Sequence, residues 1–401
     1  MPLESKSLTN DADTPPLKGL RVLELGQYIA APAAGQALAD MGADVIKLEP
    51  PTGDASRRVG WAKDDFGPMF SAYNRGKRSV VLDLRHATGR ARALQLADSV
   101  DVVLANARPG AMERQGLGAE ALMARNERLI YGRVSAFGQE GPASIRPGFD
   151  IAAQAESGMM SLNGEAGRDP VRVGFTVVDL LASQMLTSGV LAALFRRSTS
   201  GRGGLVDLSL IDVAITALAN AWTEYGLTGQ MPLRRGNGQA STAPAADVIP
   251  TQDGMVVLSA YMDDHFQRLC ATIERPDLAQ DQRFATNANR VAHRHELIGA
   301  LSESLSHFKS DVLVDLLAQG GIVAGAIRTM DGVRAGRGGV SADLFVKVQA
   351  PGRDAIGVPG LPMSLSGIRR TDGLLARLGQ HTDEVLAQLD DARGGNLHCQ
   401  L

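Results

Sequence analysis

One carboxylate in this chain stands where a nucleophile could be built. Asp179 ends the apolar run 171–178 and directly precedes a helical pattern over 180–197, in which apolar residues recur at spacings of three and four. A carboxylate at a helix N-cap is stabilised as an anion by the helix dipole. Such a carboxylate can act as a nucleophile at neutral pH, but Asp is also a preferred N-cap without any chemistry. Asp179 alone leaves both interpretations open.

Basic residues follow several consecutive strands of the pattern. In an open parallel sheet the ligand crevice lies at the carboxyl ends of the strands. Each basic residue alone is equally well explained as a solvated surface charge. Together, in a chain of net charge -3, they favour a polyanionic ligand. They are Arg57, Arg58, Lys77, Arg78, Arg108 and Arg114.

The first part of the chain reads as a βαβ unit, which predicts a parallel sheet with right-handed crossovers. A strand over 20–25 is followed by a small-residue helix over 33–41, which Gly42 ends, and by a strand over 44–49. Further strands are predicted over 80–84, 101–104, 129–135 and 205–210, with a helix from 211 to about 226. The fold class is therefore α/β, with a Rossmann-like large domain.

The turn after the first strand argues against a dinucleotide-binding protein. Glu49 lies near the position of a ribose-binding acid. The turn, however, reads Gly26-Gln-Tyr-Ile-Ala-Ala-Pro32, so that Tyr28 and Ile29 stand where a pyrophosphate would require glycine. This disfavours a nicotinamide dehydrogenase.

A change in the pattern of predicted elements, between glycine-rich segments, predicts a small α+β domain inserted into the large one. We expect a loose tail over 1–16, the first part of the large domain over 17–229, the small domain over 230–330 and a return to the large domain over 331–401. The small domain contains a hairpin over 246–259 and helical segments near 262–273, 287–305 and 309–318. A glycine loop near its start is interpreted either as a lid or as a linker. The loop is Gly236-Asn237-Gly238.

The composition is that of a soluble protein. Of the 401 residues, 44% are hydrophobic and 21% charged, and the net charge of -3 argues against a general nucleic-acid binder. Cys270 and Cys399 imply no disulfide framework and fit a reducing cytoplasm. No uncharged apolar run is long enough to span a membrane. The seven scattered His residues predict no metal site.

Taken in order along the chain, these motifs resemble the family III CoA-transferases, the group of formyl-CoA transferase and carnitine CoA-transferase. No single motif decides the resemblance, but together they span nearly the whole chain. The matching stretches are 38–49, 53–54, 74–79, 106–116, 147–150, 171–194, 201–203 and 379–382.

The resemblance implies roles for particular residues. Asp179 matches the aspartate on which the family forms covalent intermediates. Positions 148–150, with Phe149 and Asp150, match a stretch beside the thioester, and Gly236, Asn237 and Gly238 match a mobile loop over the active site. The resemblance further implies an interlocked dimer, no permanently bound cofactor, and coenzyme A as co-substrate. Residues in the segments that match the CoA-holding ones are Asn74, Lys77, Arg78, Asn106, Arg108 and Arg114.

The expected activity is transfer of CoA from an acyl-CoA donor to a free carboxylic acid, through mixed anhydrides and an aspartyl-CoA thioester. One departure concerns Ile29, where the formyl-CoA enzyme has a catalytic Gln; nearby Gln27 is a possible substitute. A 2-methylacyl-CoA racemase is the alternative enzyme. Racemases of that kind carry a His where this chain has Phe149, which cannot accept a proton. A non-catalytic CoA-binding protein is the third interpretation.

Overall fold

The computed structural model of the chain describes residues 14–62, 64–238, 245–341, 343–364 and 372–397, the last six by their backbone only. Most of the predicted tail, residues 1–13, and Cys399 lie outside the described residues. Cys270 is buried and free. The chain divides into two compact units: Met1–Met159, Val173–Ala219 and Asp343–Leu401 form the first, and Met160–Arg172 and Asn220–Ala342 form the second. The predicted small domain, 230–330, lies within the second unit.

A six-stranded sheet, parallel throughout, is the centre of the first unit. Its strand order is β3-β2-β1-β4-β5-β6. The chain adds β2 and β3 on one side of β1 and then β4, β5 and β6 on the other side, as in dinucleotide-binding folds. This confirms the predicted Rossmann-like fold class. The strands are β1 (Arg21–Glu24), β2 (Asp44–Glu49), β3 (Arg78–Val81), β4 (Val102–Ala105), β5 (Ile130–Ser135) and β6 (Gly204–Ser209).

Helices cover both faces of this sheet, so its central strands are apolar on both sides. Successive side chains of a strand point to opposite faces: Val22 belongs to one core and Leu23 to the other. The helices of this unit before Ala219 are α1 (Ala30–Asp40), α2 (Pro68–Tyr73), α3 (Ala87–Asp98), α4 (Ala119–Arg125), α5 (Asp150–Glu156), α7 (Val177–Ser200) and α8 (Leu210–Ala217). Helix α6 (Met159–Leu162) begins at the last residue of one segment of the first unit and otherwise belongs to the second unit. Short 3₁₀ turns occur at Ala55–Arg57 and Glu113–Gln115.

Helix α1 is built almost entirely of small residues, which lets it pack closely against the sheet and against α7. Gly35 shows why the residues must be small. A β-carbon there would overlap the buried carboxylate oxygen Oε2 of Glu24.

Helix α7 has the length and composition of a membrane span, with 24 residues and a mean hydropathy of 1.6 over its most apolar window. Only 33% of that window is buried. One exposed stripe runs along it at spacings of three and four residues, so α7 presents an uncovered face of apolar and small side chains. The stripe is Leu181, Met185, Ser188, Ala192 and Phe195.

The end of the chain closes one edge of the large sheet. Strands β10 (Phe345–Gln349), β11 (Ile356–Pro359) and β12 (Asp372–Leu374) form a small sheet of their own, and α16 (Thr382–Leu397) follows. The edge strand β3 donates Ser79 N–H to His381 Nδ1 at 3.2 Å and Val81 N–H to Thr382 Oγ1 at 3.0 Å. These side chains satisfy donors that an edge strand would otherwise leave open.

The second unit contains the predicted hairpin, β7 (Ala246–Pro250) with β8 (Met255–Ser259), and a third antiparallel strand, β9 (Val323–Ala326). The single helix predicted over 211–226 is two helices. Leu218 N–H bonds Ile215 O, which tightens the last turn of α8 and separates it from α9. The helices are α9 (Ala219–Thr228), α10 (Asp263–Thr272), α11 (Pro276–Gln280), α12 (Asn287–Ala292), α13 (Arg294–Leu305), α14 (Ser310–Gln319) and α15 (Met330–Arg334).

Candidate active site

A cleft of about 370 Å³ opens at the carboxyl ends of β1, β4 and β5, beside the point where the strand order reverses. Ligands of open α/β sheets bind at this position. The lining includes Gln27, Tyr28, Ile29, Asn106, Arg108, Arg146, Phe149 and Asp179.

Asp179 lies in the first turn of α7 and is half-buried in this cleft. Within the described part of the chain its carboxylate has no hydrogen-bond or salt-bridge partner. Burial, followed by the negative charge of Asp150, raises its pKa from 3.8 to about 7. Near neutral pH the cleft therefore offers an unpaired carboxylate that is partly ionised and more basic than an ordinary one.

Asp150, and not Asp179, caps helix α7. Its Oδ2 accepts hydrogen bonds from Val178 N–H at 2.7 Å and from Asp179 N–H at 3.1 Å. The prediction that Asp179 is the N-cap is therefore wrong: the helix begins at Val177, with Thr176 as the N-cap residue. The Asp150 carboxylate thus already accepts from the first amides of the helix, and burial raises the pKa of Asp179 although this residue lies in the first turn.

The turn between β1 and α1 forms one wall of the cleft. Tyr28 has φ of 64°, a left-handed conformation that a non-glycine residue adopts at a cost. Its N–H lies 3.3 Å from Asp54 Oδ1, and its ring meets the Phe149 ring edge-on at 5.5 Å between centroids. Ile29 is 4% exposed, whereas Gln27 is an exposed residue of the cleft lining. The replacement of the family Gln by Gln27 stays a prediction.

Asn106 holds this turn from the neighbouring strand. Its side-chain oxygen accepts from Gln27 N–H at 2.8 Å, and its side-chain NH₂ donates to Gln27 O at 2.7 Å. Asn106 thus contacts the wall of the cleft with both ends of its amide.

A buried charge cluster lies beneath the same turn. The Lys47 ammonium contacts Glu24 Oε1, Asp54 Oδ2 and Gly26 O, at 2.8, 2.8 and 2.9 Å. Lys77 Nζ donates to Glu24 Oε2 at 2.6 Å, to Pro32 O at 2.8 Å and to Asn74 Oδ1 at 3.0 Å. Burial lowers the pKa of Lys77 to about 8, although Glu24 opposes the shift. Three donors thus have three protein acceptors at Lys77.

The remaining residues predicted to hold CoA differ in their surroundings. Asn74 is buried and takes part in the cluster beneath the turn. Arg78 is bound to Asp44 and lies near Glu384. Arg108 and Arg114 are exposed, and neither side chain has an acidic or hydrogen-bonding partner among the described residues.

A second cleft of about 360 Å³ lies at the carboxyl ends of β1, β2 and β3. Leu25, Gln27 and Met112 line both clefts. The strand predicted over 80–84 ends earlier than expected, because β3 ends at Val81. Residues 82–84 therefore border a cleft and do not belong to the strand. Residues of this second cleft include Thr52, Leu82, Asp83, Leu84 and Arg85.

The glycine loop belongs to the second unit. Gly236 has φ of 61°, and a β-carbon there would lie 2.5 Å from the Glu165 carboxylate. Its N–H bonds Gly164 O at 3.0 Å. The expectation that this loop covers Asp179 stays a prediction.

The fold and the cleft together define a Rossmann-like protein without a glycine-rich dinucleotide turn, in which one unpaired carboxylate lies at the carboxyl edge of the sheet. The chain belongs to CoA-transferase family III, whose model matches residues 17–382. It is therefore an enzyme that transfers CoA between acyl-CoA and carboxylic acids.

Named relatives agree with this membership. Succinate–glutarate CoA-transferase of Agrobacterium fabrum is 36% identical over 94% of this chain and 96% of its own length. Succinyl-CoA–D-citramalate CoA-transferase of Chloroflexus aurantiacus is 36% identical over 93% of this chain and 94% of its own. The crystal structure of a CAIB/BAIF family protein from Brucella suis matches with a TM-score of 0.82 and 33% identity, covering 93% of this chain and 99% of that one.

Proposed function

We propose that Asp179 is the covalent nucleophile of a CoA-transferase that takes CoA from an acyl-CoA and gives it to a free carboxylic acid. The observation that carries the proposal is the unpaired, half-buried Asp179 carboxylate in the cleft at the sheet edge. Its raised pKa makes the anion a better nucleophile than a solvated aspartate.

The proposed reaction consists of four acyl transfers. An Asp179 oxygen attacks the donor thioester carbonyl, the C–S bond breaks, and CoA leaves as thiolate from a mixed anhydride. The thiolate attacks the aspartyl carbonyl, releases the donor acid as carboxylate and leaves an aspartyl-CoA thioester. The acceptor carboxylate attacks this thioester, and CoA thiolate then attacks the acceptor side of the new anhydride. Asp179 is regenerated, and no net proton transfer is needed.

Coenzyme A is proposed to enter as co-substrate through the two clefts at the sheet edge. Arg108 and Arg114 are suited to its phosphates because both are exposed cations without protein partners in the described residues. Asn74, Lys77, Arg78 and Asn106 are proposed to support the same site largely by holding the turn and strand that border it. Gly236, Asn237 and Gly238 are proposed to close over the bound thioester.

Dicarboxylic acids are the proposed acceptor class. Succinate, glutarate and citramalate, the acids in the relatives' names, each carry a second carboxylate. Racemisation is disfavoured because Phe149 provides no base.

We propose a cytoplasmic homodimer as the working form. The apolar and small stripe of α7 is a face that a second copy would cover. The membrane-like composition of α7 is interpreted in the same way, since its other face is buried in the core of the first unit. No nucleic-acid partner is expected from a net charge of -3.

The test is an exchange assay with a matched pair of variants. Wild-type enzyme is incubated with succinyl-CoA and a panel of free acids, and CoA esters are followed by mass spectrometry. Asp179→Asn should lose transfer by several orders of magnitude, because the amide is a poor nucleophile. Asp212→Asn removes a first-turn carboxylate from the neighbouring helix α8 and should retain activity.

Hydroxylamine added with acyl-CoA should convert the activated carboxyl to a hydroxamate on the peptide that carries Asp179. The proposal fails if Asp179→Asn turns over at near the wild-type rate after mass analysis has excluded deamidation.

A further inference from the structure

Gln154 is a buried polar residue that the reaction above does not use. It lies on α5, one helical turn after Asp150, and is 0% exposed. Residues four apart share a helix face, and Gln154 Nε2 donates to Asp150 Oδ1 at 2.5 Å. Its other end leaves the helix: Oε1 accepts from Val173 N–H at 2.9 Å. The same NH₂ group lies 3.4 Å from Phe175 O.

Each hydrogen bond made by Gln154 and Asp150 joins one donor to one acceptor. Backbone N–H groups can only donate and a carboxylate can only accept, so the Gln154 amide has one orientation that fits both partners. Asp150 uses Oδ1 for Gln154 and Oδ2 for the amides of Val178 and Asp179. An Asn at position 150 would place its NH₂ group opposite either the Gln154 NH₂ group or the two backbone N–H groups, and two donors cannot bond each other.

Gln154 and Asp150 therefore join three pieces of backbone: α5, the segment that precedes α7, and the first turn of α7. We propose that Gln154 is a positioning residue of the CoA-transfer reaction, which fixes the place of the Asp179 carboxylate by holding Asp150 and the Val173 and Phe175 backbone together. This inference rests on the proposed role of Asp179.

The titration of Asp179 reports on this geometry, because few charged or titratable groups of the described residues face its carboxylate. Asp150 on α5 raises its pKa after burial does. Tyr73 on α2 faces it as well, since burial and then the Asp179 charge raise the pKa of that phenol. Arg108 and Arg146 line the same cleft from the loops after β4 and β5. Displacing Asp150 should therefore move the Asp179 titration toward that of an ordinary aspartate.

The experiment compares Gln154→Met with Gln36→Met. Gln36 is a matched control: it is 4% exposed, lies on α1 and donates to Asp40, four residues away, at 3.0 Å. In both variants an unbranched side chain of similar length replaces the amide. Gln154→Met should lower kcat on the order of 10- to 100-fold, as expected for a displaced reacting group, with KM for acyl-CoA nearly unchanged. Gln36→Met should leave kcat within about twofold.

A second readout needs no turnover. A water-soluble carbodiimide modifies protonated carboxyls, so its rate at the Asp179 peptide between pH 5 and 9 follows the protonation of Asp179 in the free protein. The midpoint should lie near 7 in wild type and in Gln36→Met. It should fall by about half a unit or more in Gln154→Met and in Asp150→Asn.

The two readouts separate the possible failures. An unchanged labelling midpoint in Gln154→Met, or a kcat no lower than that of Gln36→Met, overturns the positioning role even when transfer through Asp179 is secure. If the midpoint shifts in Gln154→Met but Asp179→Asn still transfers CoA, then Asp179 is not the nucleophile. The contact of Gln154 would then have no consequence for catalysis.

Discussion

At the scale of single residues, Asp179 shows how reactivity opposes stability. Its pKa in the folded chain, about 7, lies above the ordinary value of 3.8. The folded state therefore binds this proton more tightly than the unfolded state between those two pH values. Stability falls as the pH rises through this window, and above it the ionised carboxylate is an unfavourable group in its own fold.

This linkage predicts that Asp179→Asn stabilises the protein while inactivating it. At pH 8 the variant should be more stable by on the order of 1–3 kcal/mol, allowing for the partial exposure of the carboxylate. The melting temperature should rise by roughly 2–4 °C at pH 8 and by less at pH 5. Differential scanning calorimetry at the two pH values checks this. An equal or lower melting temperature at pH 8 would contradict the raised pKa.

The same ionisation should govern the rate. Because Asp179 must be ionised to attack, log kcat/KM should rise with pH up to about 7 and then level off. Initial rates with saturating acceptor, measured from pH 5 to 9, give this profile. A profile that stays flat down to pH 5 would mean that the nucleophile is an ordinary carboxylate.

At the scale of elements, the β1–α1 turn packs on a buried cluster formed by Glu24, Lys47 and Lys77. These lysines are therefore expected to contribute to folding stability. Lys77→Met would leave Glu24 with one lysine in place of two, and breaking a buried pair costs about 3–5 kcal/mol. Chemical denaturation should detect this loss. Lys77→Met with wild-type stability would show that the Lys77 ammonium is not needed inside the fold.

Arg114 provides the contrasting case at the same sheet edge. Its side chain is exposed and has no partner in the described residues. Arg114→Ala should leave stability unchanged and raise KM for acyl-CoA on the order of 10- to 100-fold, since one charged hydrogen bond to phosphate is lost. Rising salt should weaken CoA binding in wild type more than in the variant. If KM is unaltered at low salt, the phosphates bind elsewhere.

Local pattern was sufficient for the strands but not for the contacts that join them. The run 44–49 follows Gly42 and contains the apolar residues Val45, Ile46 and Leu48, and it forms β2 with the predicted bounds. The true cap of α7 could not be predicted, because Asp150 lies 28 residues before Val178 in the sequence and meets it only in the folded chain. The burial of Lys77 escaped prediction for the same reason: its partner Glu24 lies 53 residues away.

At the scale of the whole molecule, the exposed stripe of α7 predicts a dimer. We expect a homodimer that does not dissociate on dilution, since interlocked chains of the kind implied by the resemblance cannot separate by mass action alone. Sedimentation velocity at nanomolar concentration should show one species of twice the chain mass. A reversible native monomer would exclude interlocking. Met185→Lys should disrupt assembly, because it buries a charge in the stripe.

The contact between β3 and the start of α16 can form only late in translation. Val81 and Thr382 are 301 residues apart in the chain. At the ordinary speed of translation, about 5–20 residues per second, Thr382 is synthesised roughly 15–60 s after the strand edge that it covers. During that interval the nascent chain carries an open strand edge, and for much of it also the apolar helix α7. The ribosome-bound chain therefore exposes two surfaces that favour association with other chains before the fold is complete.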